Sequence, residues 1–182
     1  QAGADVDKAA NDGDTALMAA SQEGHATILE ALIQAGADVD MGANDGNTAL
    51  MAASQEGHAA IAEVLIQAGA DIDKAANIGI TALMLASVTG HAAIVEVLIQ
   101  AGADIDKASN DGYTALMLAC GRGDVAIVDA LLKAGADIDK AANDGITALL
   151  TASQEGHAAI VENLIQAGAD VDKAANDGDT AL

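Results

Sequence analysis

The chain repeats itself every 33 residues. Asn-Asp-Gly begins at Asn11, Asn44, Asn110, Asn143 and Asn176, and Asn-Ile-Gly at Asn77. After each start come Thr-Ala-Leu, a short apolar stretch, Gly, usually His, an Ile-centred stretch and Gly-Ala-Asp. A period of this length means that one small unit is stacked on copies of itself. The spacing divides the chain into a single array, 1–182. It has five full copies (11–43, 44–76, 77–109, 110–142 and 143–175), a partial copy at 1–10 and another at 176–182.

Within a copy the local signals are those of two short helices. In the first copy Thr15 is placed to cap a helix over 16–23, because its hydroxyl can accept an orphan backbone N–H. Gly24 supplies a left-handed C-terminal residue. A second helix is predicted over 26–35, ended by Gly36, with Ile28, Leu29, Leu32 and Ile33 on one face. A turn-rich connection follows over 37–46, where Asp38, Asp40 and Asp45 stay solvated. Helices of about ten residues are marginal alone, and one helical hairpin cannot cover its own apolar face. Stacking the copies meets both needs, so the predicted fold is an all-α solenoid of helix-turn-helix units. At about 8–10 Å per step, five copies make an array about 50 Å long.

Composition fits this picture and excludes several functions. The chain is 52% hydrophobic but has no Phe, Trp or Pro, and Tyr113 is its one aromatic residue. The core must come from Ala, Ile, Leu and Val packed repetitively. A net charge of −21 repels phosphate backbones and anionic lipid surfaces. Of seven Lys and Arg residues, five recur at one loop position, so no basic patch for a nucleic acid forms. No apolar run approaches the roughly 20 residues of a membrane span. The single cysteine, Cys120, fits a reducing, cytoplasmic setting. Lys74, Lys107, Lys140 and Lys173 each follow the second Asp of a loop and are expected to offset its charge.

"DGDTALMAASQEGHATILEALIQAGADVD", residues 12–40, resembles the ankyrin repeat. Period, Thr-x-Leu, Gly-His, Ile-x-x-x-Leu and Gly-Ala-Asp agree in copy after copy, across essentially the whole chain. The family usually reads Thr-Pro-Leu-His where this chain has Thr-Ala-Leu-Met, or Thr-Ala-Leu-Leu at Thr147–Leu150. The resemblance implies an ankyrin solenoid whose connecting loops are β-hairpin-like.

No catalytic constellation emerges. The Asp-x-Asp pairs recur in every loop and fail the calcium-loop spacing, which asks for Gly at the sixth position. His25, His58, His91 and His157 are one or two repeats apart, too distant to share a metal, and are expected to brace the turn between helices. Cys120 replaces Ser21, Ser54, Ser87 and Ser153 and reads as a small helix position. Arg-Gly-Asp at 122–124 matches an integrin-binding tripeptide but falls on a helix–helix turn. There Gly121 and Gly123 are expected to loosen or shorten the first helix, and Asp124 to cap the second. The chain is read as a non-enzyme that needs no cofactor or metal.

The copies differ most at the loop tip and the end of the first helix. Asp12, Asp45 and Asp144 correspond to Ile78. Asp14, Asn47 and Asp179 correspond to Ile80, Tyr113 and Ile146. Gln22–Glu23 corresponds to Val88–Thr89 and then to Gly121–Arg122. In ankyrin repeats these places line the concave, partner-facing surface, as the resemblance implies. Ile80, Tyr113 and Ile146 then form a ladder about 20 Å long at the helix spacing. Ile78, Val88, Thr89 and Arg122 lie beside it as candidate partner contacts, of the kind found in interface hot spots. The other reading is drift or consensus averaging at unconstrained positions. Two functions therefore stand open. One is a protein-interaction scaffold, whose acidic field favours a protein partner with a basic rim. The other is a designed or consensus-like array with no natural ligand. No polar capping copies are seen, so the expectation is either that flanking segments are missing or that the ends self-associate end to end.

Overall fold

The computed structural model describes residues 5–173, 175 and 176. The outer parts of both partial copies, including Asp179, lie outside those residues. Ten helices form among them: α1 (Ala16–Gln22), α2 (Ala26–Gln34), α3 (Ala49–Glu56), α4 (Ala59–Gln67), α5 (Ala82–Thr89), α6 (Ala92–Gln100), α7 (Ala115–Arg122), α8 (Val125–Lys133), α9 (Ala148–Gln154) and α10 (Ala158–Gln166). Each odd helix packs on the even helix that follows it. The odd helices also stack on one another in one row, and the even helices in a second.

Each odd helix starts at a threonine. Thr15, Thr48, Thr81, Thr114 and Thr147 are buried, and each hydroxyl accepts the backbone N–H three residues on, at 3.3–3.4 Å. The cap satisfies a donor that would otherwise be orphaned inside the stack. The following Leu and the Met or Leu after it are buried in every copy: Leu17 and Met18, Leu50 and Met51, Leu83 and Met84, Leu116 and Met117, Leu149 and Leu150. The even helices contribute Leu29, Leu65, Leu98, Leu131 and Leu164, all fully buried. Burying one such side chain stabilises by about 1.5–3 kcal/mol. Ile28 departs from the expected core face, being 53% exposed. Its register equivalents Ile61, Ile94, Ile127 and Ile160 are buried against the preceding helix pair. Among the described residues no even helix stacks ahead of α2.

The loops are tight turns tied from copy to copy. Ala43 N donates to Asn47 O at 2.9 Å and Gly46 N to Ala43 O at 2.9 Å, closing a hairpin-like tip. The same pair recurs at Ala76 and Ile80, Ser109 and Tyr113, and Ala142 and Ile146. An asparagine ladder then runs along the tips. Each Nδ2 donates to the preceding asparagine's carbonyl, from Asn44 on Asn11 to Asn176 on Asn143, at 2.9–3.0 Å.

The Asp-x-Asp loops do more than stay solvated. Asp40, Asp73, Asp106 and Asp139 each accept the backbone N–H of the first Asp in the next loop, at 2.8–2.9 Å. The lysines are placed differently from the sequence expectation. Lys74 Nζ reaches back to the carbonyl of Asp40 in the preceding loop at 2.6 Å. Lys107 and Lys140 repeat this on Asp73 and Asp106. They bridge repeats through the backbone, a use that local charge pairing does not reveal.

Candidate functional site

The turn between the two helices of a copy explains most of what is odd about the fourth. His58 Nε2 lies 3.0 Å from the carbonyl of Gln22, His91 Nε2 3.0 Å from that of Gln55, and His157 Nε2 3.2 Å from that of Gly121. Each histidine thus caps a free carbonyl near the end of the preceding copy's odd helix. The ring lies close against a glycine of the preceding copy. A Cβ on Gly57 would sit 2.7 Å from His91 Cε1, and Gly57 also holds φ +87°. Two independent demands therefore fix glycine at this position.

Copy four has Asp124 where the histidine belongs. Arg122, two residues earlier, takes the vacant role. Its Nη1 donates to the carbonyl of Val88 at 3.2 Å, and its guanidinium covers Gly90. Asp124 is free to cap α8, accepting Ile127 N–H at 3.2 Å, which the histidines do not do for their helices. Both charged side chains of the Arg-Gly-Asp tripeptide are thus engaged within the fold. Gly121 does not shorten its helix: α7 has 8 residues, as α3 and α5 do. The i→i−4 ladder holds, because neighbouring helices pin the backbone.

Cys120 is fully buried. Burial pushes its thiol up to about 12, so it stays protonated and is no nucleophile at neutral pH. Its counterparts Ser21, Ser54 and Ser87 donate to the carbonyl four residues back at 2.7–2.8 Å.

The seven candidate contacts fall into two groups. Val88, Tyr113 and Arg122 come together with Met117, Leu118, Gly121 and Thr151 around an open hollow of about 440 Å³ on the face of the odd helices. Val88 is exposed, and the Tyr113 hydroxyl donates to Asp144 Oδ2 at 3.0 Å. Ile78, Ile80, Thr89 and Ile146 do not line this hollow. Ile78 stands out at 67% exposed on a loop tip. Ile80 is half-buried against the core. Thr89 turns its hydroxyl back to Leu85 O at 2.7 Å. Ile146 is half-buried at the register position of Ile80 and Tyr113.

Another hollow, of about 200 Å³, lies two copies earlier and is the first along the chain. Asp14, Met18, Gln22, Asp45, Asn47, Met51, Ala52, Gln55, Glu56 and Leu85 line it, with Thr48. The two hollows are the same place in the repeat, 66 residues apart. Gln22 corresponds to Val88, Asn47 to Tyr113, Ala52 to Leu118, Glu56 to Arg122 and Leu85 to Thr151. Sequence reasoning missed the first hollow and the role of Leu118 and Thr151. The signal was present: Ala19, Ala52, Leu85, Leu118 and Thr151 share one register position and vary as widely as the loop tip.

A family model described as ankyrin repeats, three copies, matches residues 2–76, 73–142 and 127–182. The chain belongs to the ankyrin-repeat family. Ankyrin repeats are generally protein–protein interaction modules, and the family is typically non-enzymatic. No curated protein sequence matches the chain. Among the described residues no ankyrin helix is long and apolar enough to cross a membrane.

Proposed function

We propose that this ankyrin array is a non-enzymatic, cytoplasmic scaffold that holds a protein partner on its concave surface. The observation that carries the reading is the hollow around Val88, Tyr113, Leu118 and Arg122. There an exposed valine, the one aromatic residue and the one arginine of a strongly acidic chain share a single surface. Ile78, Ile80, Thr89 and Ile146 are further partner contacts in this reading. Tyrosine and arginine beside aliphatic side chains are enriched where interfaces carry their energy. The net charge of −21 favours a partner with a basic rim and disfavours nucleic acids and anionic membranes. The partner is a protein, bound without cofactor or metal.

A second reading has one observation in its favour. The ties between copies repeat with almost no variation, the asparagine ladder holding 2.9–3.0 Å throughout. Such regularity suits a consensus-like array made for stability. A pull-down with mass spectrometry separates the two. Ile80 and Tyr113 pack on the core, so the perturbed form carries Ile78→Asp and Val88→Asp, both at exposed positions. A partner kept by the parent chain and lost by the variant, with equal circular dichroism, supports the scaffold. Equal recovery from both, or nothing specific from either, supports the ligand-free array.

A further inference from the structure

Glu56 and Arg122 occupy the same repeat position in hollows two copies apart, so one architectural feature is built twice with opposite charge. The first hollow has a floor of Met18, Met51 and Leu85 and a wall of Asp14, Asp45 and Glu56, with no cation in its lining. That combination suits an apolar stem ending in a positive head, as in Lys or Arg. The carboxyl of Asp14 is held above its ordinary range, first by burial and then by the charges of Asp12 and Asp45. A cation entering there meets carboxylates that lack one. The second hollow offers Val88, Tyr113 and Leu118, and its Arg122 repels any cation.

We infer that the two hollows together read one extended segment of a protein partner. A Lys or Arg of that segment enters between Asp14 and Glu56, and an aliphatic side chain enters against Val88 and Tyr113. The inference rests on the scaffold reading and deepens it. Two repeat steps span about 20 Å at the helix spacing, which an extended chain covers in about six residues. A small cation cannot span both hollows, and an anionic membrane is repelled. A helix would need about thirteen residues for the same distance. It would also need a continuous apolar stripe beneath it, which the acidic first hollow interrupts. Arg122 fixes the register, because a segment shifted by two copies would set its cation against a guanidinium.

The test is selection of a displayed library of random peptides, about sixteen residues long to cover both spacings, on the whole chain. The best peptide is then synthesised and its affinity measured by fluorescence anisotropy. The expected consensus has Lys or Arg about six residues from Leu, Ile, Val or Met. Glu56→Lys and Val88→Asp should each weaken binding by about tenfold or more. Glu30→Lys, an equal charge change at an exposed site on α2, should change it by less than about twofold. The inference is overturned by a consensus without a basic residue, by the helical spacing, by equal effects of Glu56→Lys and Glu30→Lys, or by no enrichment at all. Peptides that depend on Val88 but ignore Glu56 would sink the two-hollow reading while leaving the scaffold standing. The pull-down decides the scaffold separately.

Discussion

Arg122 holds the carbonyl of Val88 at 3.2 Å, the carbonyl that a histidine would hold in every neighbouring pair of copies. The fourth copy thus keeps the tie between repeats while changing both residues around it. Arg122→Ala should lower stability by about 0.5–1.5 kcal/mol, nearer the lower figure because the side chain is exposed. Asp124→His alone should cost about 1 kcal/mol through loss of the α8 cap. In the Arg122→Ala background the new histidine can reach Val88 O, so the second substitution should cost less. Urea unfolding of the four forms measures this coupling. Strict additivity would refute the exchange of roles.

Cys120 should behave as a reporter of opening in the fourth copy. Its thiol is buried and pushed up to about 12 by that burial. A thiol-reactive disulfide reagent near neutral pH should label it fully in urea and very slowly in the native chain. Rapid native labelling would mean that α7 opens far more readily than its packing implies. Cys120→Ser should be tolerated within about 1 kcal/mol, because Ser21, Ser54 and Ser87 at the same position donate to the carbonyl four residues back.

The fold was legible because every copy repeats the same local signals. Thr48, Leu50 and Leu65 each have a local reason to sit where they do, and stacking supplies the rest. The ties between copies were less legible. Nothing near Asp40 in sequence announces that its carboxylate receives the N–H of Asp71, because a bond 31 residues long depends on the stacking distance. Arg122 shows the same limit. Sequence marks it as different, but only the geometry assigns it to Val88. The hollows were half legible. Tyr113 stood out as the one aromatic residue, whereas Met18, Gln22, Asp45 and Glu56 of the other hollow are the commonest residues at their positions.

Added salt should stabilise the chain. Two unit charges about 10 Å apart in water repel by roughly 0.4 kcal/mol before screening. A net charge of −21 contains many such pairs. The backbone bonds of Asp40, Asp73, Asp106 and Asp139 hold their carboxylates in line along the stack, which sustains the repulsion. Thermal melts at low and high NaCl should differ by a few degrees, about 2–4 °C for each kcal/mol at this chain length. An unchanged melting temperature would remove repulsion as a significant contribution.

Asp14 gives the sharpest pH test. Its carboxyl lies above 3.8 in the folded chain, first through burial and then through Asp12 and Asp45. The folded state therefore binds this proton more tightly than the unfolded state. The resulting stability is fully present below pH 3.8 and is lost as pH rises through the folded value. At neutral pH the ionised carboxylate weakens the fold. Asp14→Asn should raise the melting temperature at neutral pH and bring no gain once the pH is below 3.8. An equal gain at both pH values would trace the effect to shape or hydrogen bonding. A gain confined to neutral pH would measure the cost of the ionised carboxylate, desolvation first and repulsion by Asp12 and Asp45 second, and a peptide whose cation relieves that cost should bind the Asp14→Asn variant less tightly than the parent.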